Sequence, residues 1–425
     1  MGDFADFVLR HADDDTDRLL LNRDKYAGTD VRLAVSTILC RKKLRTKVPS
    51  FYANPELIYP DRLAAEQCSS EAAAACKTEI IKELCAIAGT DPAALKIADL
   101  TGGLGVDCAA FAKFAGKVLY NEMNPVLAGA AGHNFKALGI GNIEISNCKI
   151  APKGSPDGIS PKELLGRFGP DIIFLDPARR APDGRKVFLL EDCSPDIMSM
   201  LGELLEISRF VVVKLSPMAD IGMVSGKFGR RCRSITAIST DGECRELVAA
   251  IDREYDGECT VTANCGGKKF SFTAEQERGC APAEAAAGGP EEGMLLLEPD
   301  KALMKTGPFN LLGSRFRAGG LGRGTHYYTA PETADTREFS GFFKIFKILK
   351  VLPLDKRGMK EMSALFPCAE VTARNIPLDS DTLRKRLRVS PSDEYHIFGL
   401  KTPDGNLLIA TRRLPALNPA PVSDI

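Results

Sequence analysis

From about residue 93 the chain alternates short apolar runs with helical stretches, and no other feature limits its fold as tightly. "LKIADL", "KVLYNE", "NIEIS", "DIIFLD" and "RFVVVKL" read as buried strands, with helices over 106–116, 125–138 and 195–207 between them. Strands alternating with helices make a parallel sheet of the α/β class. "SITAISTDGECRELVAAI" breaks the pattern. Two strand-like halves flank a Thr-Asp-Gly turn, which predicts an antiparallel hairpin. A parallel sheet closed by such a hairpin differs from a pure dinucleotide-binding sheet.

The flanking regions have other periods. Residues 1–90 read as a helical N-terminal domain, in which "SSEAAAACKTEIIKELCAIAG" starts on a serine cap and stops at Gly89. "RKKLRTKVPSFYANPELIYP" reads as a basic, proline-broken connector. The α/β pattern fills 91–280. Residues 281–293, "APAEAAAGGPEEG", form a linker of Ala, Gly, Pro and Glu. Two small α+β parts follow, 294–367 and 368–425. The last reads strand, helix, strand, Asp-Gly turn, strand.

Composition removes several functions. No apolar run nears the ~20 residues that span a bilayer, and the acidic start "MGDFADFVLRHADDD" lacks a signal-peptide layout. A cytoplasmic protein with no membrane partner is expected. The 13 cysteines are scattered from Cys40 to Cys368 without a CxxC pair. Cys259, Cys265 and Cys280 have no matching histidine among the four present (His11, His133, His326, His396). No metal site is therefore expected. Net charge is zero but uneven: residues 301–425 carry 20 Lys+Arg against 12 Asp+Glu. A basic C-terminal part fits a polyanion-binding module, or simply a solvated surface.

"IADLTGGLGVD" (97–107) occupies the first strand-to-helix turn, with Asp99 and Asp107 at its ends. Its glycines, Gly102, Gly103 and Gly105, do not fit the G-x-G-x-x-G spacing of a dinucleotide turn. They still let the backbone approach a ligand at the helix start. Glu122 ends the second strand, where an acid can accept hydrogen bonds from both ribose hydroxyls of an adenosine ligand. Met123 beside it could pack on the adenine face or fill the core. "SNCK" follows the third strand, and Asn147 offers an amide oxygen there, next to Cys148. The fourth strand ends in "FLDPARR", which puts Asp176 at the crevice on a loop stiffened by Pro177. Arg179 and Arg180 could reach a phosphate or pair with Asp183, Glu191 or Asp192.

Together these residues resemble a class I S-adenosylmethionine-dependent methyltransferase. More narrowly, the chain is similar to bacterial proteins that join such a domain to a C-terminal THUMP-like domain. "KVPSFYAN", "EQCSSEAAAACK", "DLTGGLGVD", "LDPARR", "GRKVFLLEDCSPDI", "LEPDKALMKTG", "THYYTA" and "EVTARNIPLDSDTLRKRLR" carry the likeness in order. The resemblance implies a Rossmann-like core (91–280), a ferredoxin-like domain (294–367) and a THUMP-like domain (368–425) that binds RNA, commonly tRNA. It implies cofactor contacts from Asp99, Thr101, Gly102, Gly103, Gly105, Asp107, Glu122, Met123, Asn147 or Cys148, and Asp176. Thr101 stands where the family motif has its first glycine. Gln67–Glu71 would close over the cofactor or merely cap a helix.

For the chemistry, Asp176, Pro177 and Arg179 are the expected catalytic residues, with Arg180 on the substrate. Amino-group methyltransferases of nucleic acids carry Asp/Asn-Pro-Pro-aromatic, and here Ala178 and Arg179 replace the last two. No ring remains to stack on a flipped base. Cys193 could support covalent pyrimidine chemistry, though a bystander is the commoner case. RNA contacts are expected from Arg384, Lys385, Arg386 and Arg388, and from "RKKLRTK" (41–47) with Phe51 and Tyr52. Three functions compete: methylation of tRNA or rRNA, methylation of a small molecule or protein, and RNA binding without catalysis.

Overall fold

A computed structural model describes residues 2–178, 193–283, 289–322 and 324–415. The chain divides into two compact units, residues 1–240 with 245–259 and residues 241–244 with 260–425.

The first unit opens with helices Gly2–Arg10, Thr16–Leu21, Val31–Lys47, Pro49–Ala53, Arg62–Gln67 and Glu71–Ala88. Asp15, Asp30, Asp61 and Ser70 cap the helices after them by accepting first-turn N–H groups. Gly89 ends the last in the left-handed region at φ +67°. The stretch expected as a connector is largely helical, because Val31–Lys47 continues through it. Pro49 sits at the first helical position, where its missing N–H costs nothing.

Seven strands of this unit are described: β1 (Lys96–Asp99), β2 (Lys117–Asn121), β3 (Ile143–Ser146), β4 (Ile172–Leu175), β5 (Phe210–Leu215), β6 (Cys232–Thr240) and β7 (Glu243–Asp252). They lie in the order β3-β2-β1-β4-β5-β7-β6. β1 to β5 pair in parallel, and β7 runs antiparallel beside β5. Asp241 and Gly242 both take positive φ, the requirement of a two-residue hairpin turn. This is the expected class I methyltransferase sheet. β4 and β5 are buried throughout, as central parallel strands must be. Ile97, Val118, Phe174 and Val212 meet Phe111 and Leu84 from the covering helices in one core.

The helix expected over 106–116 ends sooner, at Val106–Ala112. The chain turns there through Phe114 and Ala115, whose N–H groups both bond Phe111 O. Gly116 then packs so closely on the Ala93 carbonyl that a side chain would collide.

The second unit holds the hairpin β8 (Thr260–Cys265) and β9 (Lys268–Thr273). It also holds β10 (Leu295–Pro299), β11 (Gly319–Gly320), β12 (Tyr328–Ala330), β13 (Phe343–Pro353), β14 (Glu370–Arg374), β15 (His396–Thr402) and β16 (Gly405–Arg413). These seven form a mixed sheet in the order β11-β12-β10-β13-β16-β15-β14. Helix Ser380–Leu387 covers it with buried Leu383 and Leu387. Gly399 on β15 admits that helix, since a Cβ there would stand 2.6 Å from Leu383. Among the described residues, no helix is long and apolar enough to cross a membrane.

Candidate active site

Strand order reverses between β1 and β4, so a crevice opens at the carboxyl ends of these strands, where ligands of open α/β sheets bind. The candidate residues sit on its two flanks.

One flank is the turn after β1. Gly102 N–H bonds Asn121 O at 2.8 Å, and its Cα lies against the Tyr120 ring with no room for a side chain. Gly103 and Gly105 take φ of +53° and +79°. A Cβ on Gly105 would meet Phe135 at 2.5 Å, whereas one on Gly103 would meet nothing within 4 Å. Gly103 therefore faces open space. Its N–H donates to Glu122 Oε2 at 3.0 Å, and Asn124 N–H donates to Oε1 at 2.8 Å. Each Glu122 oxygen keeps a lone pair for a further donor. Tyr120 OH holds Gly103 O at 2.6 Å and fixes the turn on β2.

Asp99 is buried beneath this turn. Its Oδ1 accepts from Thr101 N–H at 3.0 Å, and its Oδ2 from the Cys108 thiol at 3.2 Å. Burial pushes its pKa up to about 7, against the pull of the Thr101 N–H. Buried Asn121 ties the flank together. Its amide donates to Leu100 O and Cys148 O at 3.1 and 3.0 Å, and accepts from Cys148 N–H at 3.0 Å. Asn147 donates from Nδ2 to Glu122 O at 2.6 Å, which leaves its amide oxygen as an acceptor. Met123 is 60% exposed, so it does not fill the core.

The other flank is the end of β4. Thr101, which replaces a glycine, accepts Asp176 N–H at 2.6 Å through its hydroxyl and joins the two loops. Asp176 Oδ2 lies 2.5 Å from Lys214 Nζ on β5. Lys214 also faces Glu246 of β7 at 3.7 Å, and Glu246 Oε1 meets Lys77 at 2.7 Å. Lys77 reaches Asp107 at 3.0 Å and Ser69 Oγ at 2.6 Å, while Ser69 donates to Asp107 at 2.8 Å. Five charges of alternating sign thus run from the crevice to the first turn of the helix after the glycines. Burial pulls Lys77 and Lys214 down, but the carboxylates outweigh it and both ammonium groups titrate above their ordinary range. Burial likewise raises Glu246, yet the two lysines bring it below the usual carboxylate value.

The structure therefore places Thr101, the three glycines, Glu122, Met123, Asn147, Cys148 and Asp176 around the carboxyl ends of the strands, with Asp99 buried beneath the turn. Asp107 lies behind it, paired with Lys77 and Ser69. Pro177 is buried. Arg179 and Arg180 lie outside the described residues, with the acids Asp183, Glu191 and Asp192. Ala178 and Ser194 exchange backbone hydrogen bonds at the base of that segment, and Cys193 is half-buried. Gln67–Glu71 does more than cap: Ser70 caps, and Ser69 binds Asp107.

Of the basic stretch 41–47, Arg41 is buried and donates to Asn54 O at 3.0 Å, and Lys43 pairs with Glu66. Lys47 donates to Glu66 O at 2.6 Å, and Phe51 is buried. These side chains hold helices together, while Lys42 and Arg45 of the same stretch are exposed. Arg384 pairs with Asp381 at 3.1 Å, while Lys385, Arg386 and Arg388 are exposed. Among the described residues, no group of three or more His, Cys, Asp or Glu could hold a metal ion.

Sequence reading missed Lys77, Lys214, Glu246 and Asn121. A signal existed for the lysines. Lys214 interrupts "FVVVKL" and Lys77 follows "EAAAAC", and a charge in a buried run must find a partner.

Comparison with known proteins bears on both parts of the chain. A family model described as THUMP domain-like matches residues 343–413, and one described as ferredoxin-like domain matches 295–336. Two Mycobacterium tuberculosis proteins named as uncharacterized S-adenosylmethionine-dependent methyltransferases are each 27% identical over 301 residues. The match covers 69% of this chain and 74% of theirs. Among solved structures, a Porphyromonas gingivalis protein assigned as a methyltransferase is 25% identical, with a TM-score of 0.77 over 97% of this chain and 98% of that one.

Proposed function

We propose that this chain, a class I S-adenosylmethionine-dependent methyltransferase with a C-terminal THUMP-like domain, methylates RNA of the tRNA or rRNA class. The observation that carries the cofactor assignment is the open face over Gly103, set beside the half-exposed Glu122 carboxylate. Only a backbone without a side chain leaves that room, so the residues fit the cofactor. Glu122 would hold the ribose hydroxyls, Met123 and Asn147 the adenine, and the 101–105 backbone the amino-acid part. When bound, the cofactor supplies an electrophilic methyl group on a sulfonium sulfur.

The chain itself supplies alignment and charge. Thr101 fixes Asp176 relative to the glycine turn, and alignment of acceptor and methyl is the larger part of such catalysis.

RNA is supported by the THUMP-like match and by the exposed Lys385, Arg386 and Arg388 within it. Phosphate contacts there would position RNA without choosing a base. On this reading the protein acts in the cytoplasm. Incubation with methyl-labelled cofactor and separate RNA, protein and metabolite fractions tests the proposal. Label in tRNA or rRNA is expected, and label confined to another fraction overturns it.

A further inference from the structure

The acceptor flank is organised for one kind of nucleophile. Asp176 is the member of the ion chain most open to the crevice, its side chain 32% exposed against 9% for Lys214, 5% for Glu246 and 1% for Lys77. An arriving acceptor meets a carboxylate with an ammonium 2.5 Å behind it.

Amines and hydroxyls place opposite demands on such a site. An amine gains positive charge as its new bond to carbon forms, and the Lys214 ammonium, 2.5 Å from Asp176, offsets what that carboxylate could offer it. A hydroxyl must shed a proton and gains negative charge, which an ammonium stabilises while a carboxylate takes the proton. A base amine would also have to be drawn from its stack onto a flat side chain. Pro177 is followed by Ala178, which has no ring. The sugar hydroxyl that distinguishes RNA is present on every nucleotide and needs no base pocket.

We propose that the methyl acceptor is a hydroxyl and, resting on the RNA reading above, the ribose 2′-hydroxyl of an RNA nucleotide. The oxygen–methyl bond forms as the methyl–sulfur bond breaks, and the breaking bond's electron pair remains on sulfur. The hydroxyl proton passes to the Asp176 carboxylate and then to solvent. Lys214 stays protonated and stabilises the oxygen as it becomes negative. Glu246 and Lys77 are positioning residues. Glu246 draws Lys214 into place from the side away from the crevice, and Lys77 holds Glu246.

RNA methylated with tritium-labelled cofactor is hydrolysed in alkali and the products are separated by size. A 2′-O-methyl group blocks cleavage at its phosphate, so label is expected in alkali-stable dinucleotides. Label in mononucleotides means base methylation and overturns the inference while the RNA methyltransferase reading stands. Absence of label from RNA overturns both. Lys214→Met, checked for folding by circular dichroism, is expected to lower kcat about 10²–10³-fold with KM for RNA and cofactor affinity little changed. Lys214→Arg, which keeps the cation, should recover part of the loss. Equal kcat in Lys214→Met and the parent protein contradicts the role given to the ammonium.

Discussion

At the ends of β1, β2 and β3 the crevice is built from backbone. Glycines clear space, and the Asp99 and Glu122 carboxylates collect N–H groups from the turn between them. At the ends of β4, β5 and β7 it is built from side-chain ions that satisfy one another. The first flank can receive a ligand that brings its own hydroxyl and amide-like donors. The second holds charges in fixed places before any substrate arrives, as an electrostatic contribution to catalysis requires. The flanks meet at Thr101, whose hydroxyl binds Asp176 N–H, and at Asp107, where the ion chain reaches the helix after the glycines. Binding and chemistry should therefore fail separately when either flank is damaged.

The largest expected effect falls on the acceptor flank. Asp176→Ala should lower kcat about 10²–10⁴-fold without weakening the cofactor, measured by turnover and by calorimetry. Equal losses in both would mean that the flanks are not separable. Next, Glu246→Ala leaves two buried lysines without their shared partner and should cost about 3–5 kcal/mol of stability, read by denaturant unfolding. A loss under 1 kcal/mol would show that the ion chain is solvated.

On the cofactor flank, Asp99 gives a pH test. Its pKa in the folded protein is about 7 against an ordinary 3.8. Its contribution to stability is therefore full below about pH 4 and is lost as pH rises to about 7, on the order of 4 kcal/mol in all. Asp99→Asn should gain on the parent protein as pH rises from 4 to 8. A difference that stays constant with pH would contradict the raised value. The smallest effect belongs to the second unit. Lys385→Ala or Arg386→Ala should each reduce the salt dependence of RNA binding by about one unit of slope and leave cofactor affinity unchanged.

The same contrast explains what the sequence made legible. Asp99, the glycines and Glu122 lie within 24 residues and follow the strand–turn–helix period, so their meeting could be read from spacing. The parallel strands and the closing hairpin were legible too, because alternation fixes parallel strands and an Asp-Gly turn fixes the final hairpin. Lys77, Asp107, Asp176, Lys214 and Glu246 come from five separate elements. Nothing local links them, and only the closed sheet brings them together. The basic run 41–47 divides between fold and surface, since Lys42 and Arg45 are exposed. It has the composition of an RNA contact, yet Arg41, Lys43 and Lys47 are used up by Asn54, Glu66 and Ala65.

Calorimetric titration of S-adenosylmethionine into the parent protein, Glu122→Ala and Lys214→Met tests the central division most directly. The expected result is binding by the parent protein, an affinity reduced about 10–100-fold in Glu122→Ala, as the loss of one or two charge-assisted hydrogen bonds implies, and near-parent affinity in Lys214→Met. No binding by the parent protein, or a loss confined to Lys214→Met, would contradict it.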